Sequence, residues 1–267
     1  MSECVSVKES DGVIEVVLNR PEKHNSLTMG MFEDLVKVGD GLLKSTSARV
    51  VVLRGEGQSF CAGLDLSLMK DVSNPDRGAV EKLLGADSDG LSLVQRSAYI
   101  WKLIPIPVIC SIQGVALGGG CQIALGADIR VAHPKSKMGI MESKYGLVPD
   151  LAITQTLPCL VPQDIALELT MTGRVISGVE AVNYGLATKV SDEPLKDTLS
   201  LAREIAGRSP DAIRAVKKLY GAVWQEGSKS GLSMERQMQR ELIGSANQVE
   251  AVSAAMEKRT AIFTSVA

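Results

Sequence analysis

Residues 12–21, "GVIEVVLNRP", carry β-branched side chains at period two and stop at Pro21, which predicts a strand. In "SLTMGMFEDLVKVGDGLLKS" (26–45) the period changes, and Met31, Leu35, Val38 and Leu42 recur at helical spacing. "ARVVVLRGEG" (48–57) is continuously apolar until its glycines, as a buried parallel strand would be. "SFCAGLDLSLMK" reads as a turn entering a short helix, with Asp65 as its cap. Residues 71–90 are polar and rich in Gly, Asp and Ser, and predict a loop; an amphipathic helix then runs through "QRSAYIWKLI" to Pro105 and Pro107. A second buried strand, "PVICSIQG", leads into "GVALGGGCQIALGAD" (114–128), where three glycines precede a helix-like apolar run. "IRVAHP" and "SKMGIM" predict two more short strands. Beyond "GLVPD" (146–150) the pattern turns helical in "PQDIALELTMTG", "SGVEAVNYG", "LKDTLSLAREIAGRS", "PDAIRAVKKLYGAVW" and 232–264, with "LATKVS" as a lone strand. Strand–helix units first and helices last predict an α/β fold with a helical C-terminal portion.

Composition narrows the function. The chain has 267 residues, enough for one large domain or a core with a smaller appendage. A net charge of -2 argues against a nucleic-acid or polyanion binder. No run of roughly 18 apolar residues predicts a membrane span, and "MSECVSVKESDG" lacks the basic flank and apolar stretch of a signal peptide. Cys4, Cys61, Cys110, Cys121 and Cys159 are odd in number, scattered and never in CxxC spacing. They read as small buried thiols in a reducing compartment, which makes a cytoplasmic location the expectation. His24 and His133 are the only histidines, too few for a convincing metal centre or a histidine-dependent triad. Aromatics are scarce, so the core must be aliphatic, with Tyr99 and Trp101 read as part of it.

Two segments share one design of buried strand, small-residue turn and helix: "VVVLRGEGQSFCAGLDL" and "VICSIQGVALGGGCQIAL". At each helix start the first N–H groups lack intrahelical acceptors and point outward with the positive end of the helix dipole. Glycine removes the side chain that would keep a ligand from those amides. Two such turns side by side would aim two donors at one oxygen, forming an oxyanion hole for a thioester enolate. Close helix–strand packing explains the glycines equally simply. A phosphate loop does not fit, because "GGGCQ" lacks the Gly-Lys-Ser/Thr ending and neither strand is followed by GxGxxG.

"LNRPEKHNSL", "GQSFCAGLDL", "GVALGGGCQIALGADIRVAHPKSKMGIME", "GLVP", "TGRVISGVEAVNYGLATKV" and the terminal "AMEKRTAIF" resemble, in this order, the motif blocks of the crotonase superfamily, the enoyl-CoA hydratase/isomerase family. The resemblance spans nearly the whole chain. It implies a crotonase (ClpP/crotonase-like) fold, with ββα units forming two roughly perpendicular sheets. Residues 1–195 would form the core with the acyl-CoA site, and 196–267 a helical trimerisation portion. It further implies homotrimers or dimers of trimers, and an acyl-CoA thioester substrate with coenzyme A entering as part of it. No separate cofactor, metal, nucleic acid or membrane is implied. The oxyanion donors carried over are the N–H groups of Leu64 and Gly119. The backbone at Ala62 and Asp65 would meet the adenine and Lys23 the phosphates. Lys258 and Phe263, placed on the closing helix, would reach a CoA in the neighbouring subunit. Each basic side chain also reads as a solvated surface charge.

In this family the acid–base groups set the reaction. Hydration is usually served by two glutamates, at the positions of Gln122 and Glu142. An amide at Gln122 can orient a water within the substrate site but cannot take its proton. Glu142, at the end of an apolar strand, would have a raised pKa suited to proton transfer, or else pair with Lys144. Some family isomerases carry an acting aspartate at the position of Asp150, which here also reads as the N-cap of "PDLAIT". Double-bond migration needs only one base, so the resemblance implies Δ3–Δ2 enoyl-CoA isomerase chemistry, with Asp150 as shuttle and Glu142 as its partner. An enoyl-CoA hydratase relying on Glu142, and a non-catalytic acyl-CoA-binding protein, are the alternatives. Residues 71–103 are expected to shape the acyl pocket.

Overall fold

Valine-rich strands with both faces buried build the molecule, described here by a computed structural model for residues 4–72, 78–223 and 245–265. A six-stranded sheet takes β1 (Val5–Ser10), β2 (Val13–Leu18), β3 (Val50–Gly55) and β4 (Val108–Ile112) side by side. The chain leaves it for β5 (Val115–Leu117), returns for β6 (Ile129–Ala132), and leaves again for β7 (Lys137–Gly139) and β8 (Ile176–Ser177). It then ends the large sheet with β9 (Lys189–Val190). The orders are β1-β2-β3-β4-β6-β9 and β5-β7-β8. Only the β1–β2 and β7–β8 pairs are antiparallel. Asp11 and Gly12, both at positive φ, make the two-residue turn that joins β1 to β2.

Alternation sorts each strand's side chains onto two cores. Val13, Val50, Val52, Ile109 and Val131 face the helix Pro194–Ala206, which contributes Ala202, Leu195, Leu199 and Ile205. Their neighbours Ile14, Val51, Leu53 and Cys110 join a larger core on the opposite face, with the helices Met29–Leu43, Leu93–Leu103 and Gly119–Leu125. Two of these helices pack so closely that a Cβ on Gly39 would come within 2.3 Å of Ile100 Cγ1. The helix Pro210–Val223 is tied down by Lys217, whose Nζ donates to Trp101 O at 2.9 Å, Ile106 O at 2.9 Å and Asp128 Oδ2 at 2.7 Å.

The α/β class stands, and several local expectations are corrected. "LATKVS" contains a strand as expected, β9, which pairs in parallel with β6 at the sheet edge, but it is not alone in its region, since β8 precedes it. The supposed loop 71–90 contains the helix Gly78–Leu84. Of 232–264, residues 232–244 lie outside the described residues, and the helix there is Ala246–Glu257. The helix Pro194–Ala206, which straddles the 195/196 division, is the cover of the sheet's rear face. Trp101 is fully buried, as a core residue should be.

Candidate active site

Segment 61–64 is stitched to its neighbours at both ends. Cys61 bridges to Ala116 of β5, and Leu64 bridges to Leu27. The Gly63 carbonyl accepts from the Leu27 N–H at 2.8 Å. Because a trans peptide sets its C=O and N–H in opposite directions, the Leu64 N–H points away from Leu27. The second donor arises in the same way. The Gly118 carbonyl accepts the Gln122 N–H at 3.1 Å, as the first bond of the helix Gly119–Leu125. The Gly119 N–H therefore leaves the helix N-terminus along its positive end. Among the described residues, neither Leu64 nor Gly119 has a partner for its N–H.

The glycines here serve both access and packing. Gly63 takes φ +91, and a Cβ on it would stand 2.8 Å from Leu117 O. Gly118 takes φ +53, and its Cβ would lie 3.3 Å from Glu142 Oε1, so the Glu142 carboxyl sits beside the peptide that supplies the Gly119 N–H. Gly120 is needed for contact, since a Cβ there would press within 2.7 Å of Cys61.

Glu142 opens the 3-10 turn Glu142–Tyr145, just past β7 and not on it. Its Oε1 accepts from Gln122 Nε2 at 2.7 Å, and its Oε2 is buried without a partner among the described residues. No ion pair with Lys144 forms. Burial pushes the Glu142 carboxyl above the ordinary carboxylate range, and the nearby Asp150 adds to the shift. Burial raises Asp150 as well. Asp150 is not the helix cap expected of it: the helix is Ile153–Thr156, and its cap position falls on Ala152 at φ 54. Against the burial that raises it, the Asp150 carboxyl is drawn down only by its own backbone N–H.

Gln122 is 0% exposed, and its Oε1 accepts the Leu151 N–H at 3.0 Å. With one end on Glu142 and the other on backbone, its amide bridges two parts of the site. Nothing in the local sequence announces the Leu151 amide, because the pairing spans 29 residues.

The residues assigned to CoA spread along the rim. Lys23 is exposed in the turn Pro21–Lys23, and the Ala62 N–H is held by His24 O at 2.9 Å. Asp65 accepts from Ser67 N at 3.0 Å, capping the helix Leu66–Val72 as expected. The Ser67 hydroxyl at 2.7 Å, the Ser26 hydroxyl at 2.7 Å and an ion pair with Arg20 at 3.1 Å hold the Asp65 carboxyl far below the usual range. Lys258 and Phe263 are not on the closing helix, which ends at Glu257. Lys258 takes φ 56 just beyond it. Phe263 lies farther on under the Arg49 guanidinium, which also donates to its carbonyl at 3.1 Å. Cys61 and Cys121, which flank the donors, are buried, and burial pushes both thiols up to about 12. They are packing residues, as the sequence suggested. Among the described residues no group of His, Cys, Asp and Glu is arranged to hold a metal, and no helix is long and apolar enough to cross a membrane.

Comparison with known proteins agrees with this geometry. Residues 8–266 match the family model described as "Enoyl-CoA hydratase/isomerase". Human mitochondrial methylglutaconyl-CoA hydratase is 32% identical over 94% of this chain and 74% of its own length. The 1,2-epoxyphenylacetyl-CoA isomerase of Escherichia coli is 33% identical over 99% of both chains. The crystal structure of an enoyl-CoA hydratase from Bacillus anthracis superimposes with a TM-score of 0.86, covering 97% of this chain and 98% of that one at 32% identity.

Proposed function

The chain belongs to the enoyl-CoA hydratase/isomerase family, and from that premise we propose that it is an isomerase shifting the double bond of a 3-enoyl-CoA to the 2-position. The observation that carries this reading is the pair of desolvated carboxyls, Glu142 and Asp150, beside two unpartnered N–H donors, with an amide that cannot act as a base, Gln122, bonded to Glu142. The thioester oxygen would accept from the Leu64 and Gly119 N–H groups. A carboxylate removes a proton from C2, and the electron pair spreads over the dienolate while its negative oxygen rests in the hole. The same proton is then returned to C4, leaving the double bond between C2 and C3. No atom is gained or lost. Burial raises both carboxyls and Asp150 raises Glu142 further, which suits the pair to taking up and returning one proton. In this reading Asp150 is the shuttle and Glu142 its partner. Similarity to an isomerase over nearly the full chain supports it.

Similarity to a named hydratase favours a second reading, addition of water to a 2-enoyl-CoA. A medium-chain 3-enoyl-CoA and a 2-enoyl-CoA, supplied separately, decide between them through the ultraviolet band of the conjugated thioester. Growth of the band from the 3-enoyl substrate supports the isomerase. Loss of the band from the 2-enoyl substrate alone refutes it. The five cysteines, none of them in a disulfide, suit a reducing, cytoplasmic setting. The exposed apolar side chains Leu147, Val148, Leu167 and Met171 suit self-association into trimers.

A further inference from the structure

The two arms of Gln122 are chemically unequal, and the fold leaves no choice of which faces where. The Leu151 N–H can be satisfied only by an acceptor, so the amide oxygen must lie toward it and the NH2 toward Glu142. A flipped amide would set donor against donor and oxygen against carboxyl oxygen. Glu142 Oε1 is thereby held as an acceptor whatever the ionisation state, and any proton on that carboxyl resides on Oε2. The other arm fixes the peptide that follows Asp150. One buried side chain on the helix Gly119–Leu125 thus grips both acid–base elements and the helix that supplies an oxyanion donor.

We propose that Gln122 is a positioning residue, a strut that holds Glu142 and the Asp150–Leu151 peptide in register and confines the mobile proton to Glu142 Oε2. This rests on the acid–base reading of the two carboxyls given above. It assigns the glutamine a purpose beyond the absence of a base. A glutamate at this position would keep the acceptor arm toward Leu151 but set two carboxyl oxygens about as close as the present 2.7 Å contact, where they must share a proton. The titratable groups facing Glu142 are few. Cys121 lies on the same helix as Gln122, and Asp150 lies across the site. The helix Gln163–Thr172, packed against the Glu142 turn, carries Asp164 and Glu168, the latter bound to Arg174 at 2.7 Å. On the turn itself Lys144 and Tyr145 are exposed.

The test is α-proton exchange of butyryl-CoA and octanoyl-CoA in heavy water, followed by mass against pH, for the wild type, Gln122→Met and Gln122→Glu. Exchange needs only the hole and one ionised base. A wild type that exchanges but leaves double bonds in place therefore refutes the isomerase while still testing Gln122. Loss of a hydrogen bond to a charged group predicts a fall of roughly 10- to 100-fold in Gln122→Met. The acidic limb should also move about one pH unit upward, and further in Gln122→Glu. A role in packing alone would lower the rate without moving the limb. Folded variants with an unshifted limb overturn the proposal. So does a gain of hydration in Gln122→Glu, or a wild type that exchanges no protons.

Discussion

Gly63→Ala tests the oxyanion geometry at its most constrained point. The native residue takes φ +91, which costs an alanine on the order of 1–3 kcal/mol. The new Cβ would also meet the Leu117 carbonyl oxygen at 2.8 Å, several tenths of an ångström inside ordinary contact, so the 61–64 segment must move. Together these predict about 2–4 kcal/mol of lost stability. The catalytic loss follows from geometry, because a donor must lie about 2.7–3.1 Å from the developing oxyanion. Rotation of the Gly63–Leu64 peptide removes one donor, which costs roughly 10²–10³ in kcat. KM should change less, since most of the CoA is bound elsewhere. Gly90→Ala is the control: Gly90 also has positive φ, at +78, but nothing lies within 4 Å of the added Cβ. It should lose about 1 kcal/mol and no activity. Thermal melts and the conjugated-thioester assay read both effects. A folded Gly63→Ala variant with wild-type kcat would refute the placement of the Leu64 N–H in the hole.

Three further outcomes are expected. Since burial raises the carboxyls of Glu142 and Asp150, each opposes folding once ionised, a cost absent below the unfolded pKa and incurred as pH rises through the folded one. Asp150→Asn should therefore abolish turnover yet raise Tm at pH 8 more than at pH 4; a lower Tm at pH 8 would contradict the desolvation. Lys217→Met leaves Asp128 and two backbone carbonyls without their ammonium and should cost about 2–4 kcal/mol, discounted for the partial exposure of Asp128. The exposed neighbour Lys218, changed to Met, should cost almost nothing, and equal losses in urea titrations would refute the latch. Iodoacetamide should modify no more than Cys4 and Cys159 in the native chain, because Cys61, Cys110 and Cys121 are buried with raised pKa values. Mass spectrometry showing fast labelling of Cys61 would disprove this.

What the chain discloses about itself depends on how long each signal runs. β2 and the helix Met29–Leu43 were legible because five or more residues repeat one period, and β3 and β4 because each is an apolar run bounded by Gly or Pro. β8 has two residues, and no period can be read from two positions; β9, equally short, was found only through the longer "LATKVS" pattern around it. β5 was hidden among the glycines beside it. Motif order pointed to the two N–H groups that the structure leaves unpartnered, and the apolar strand before Glu142 pointed to its burial. The engagement of Gln122 was not legible, because it is made by a turn 20 residues away and a peptide 29 residues away. Asp150 was given a capping duty that the chain assigns instead to a backbone turn at Ala152. Local propensity lost there to the demands of the site.

The alternation of β2, β3, β4 and β6 has a consequence for how this molecule can change. The sheet is a partition one peptide layer thick. Val50, Val52, Ile109 and Val131 work against the helix Pro194–Ala206 on one side; Val51, Leu53 and Cys110 face the donors' side on the other. Repacking the rear compartment alters how firmly the chain holds together, while hydrogen bonds along the strands keep the partition in place. Mutational drift, or an engineer seeking heat resistance, can therefore work behind the sheet and leave Glu142, Asp150 and the Leu64 and Gly119 amides undisturbed.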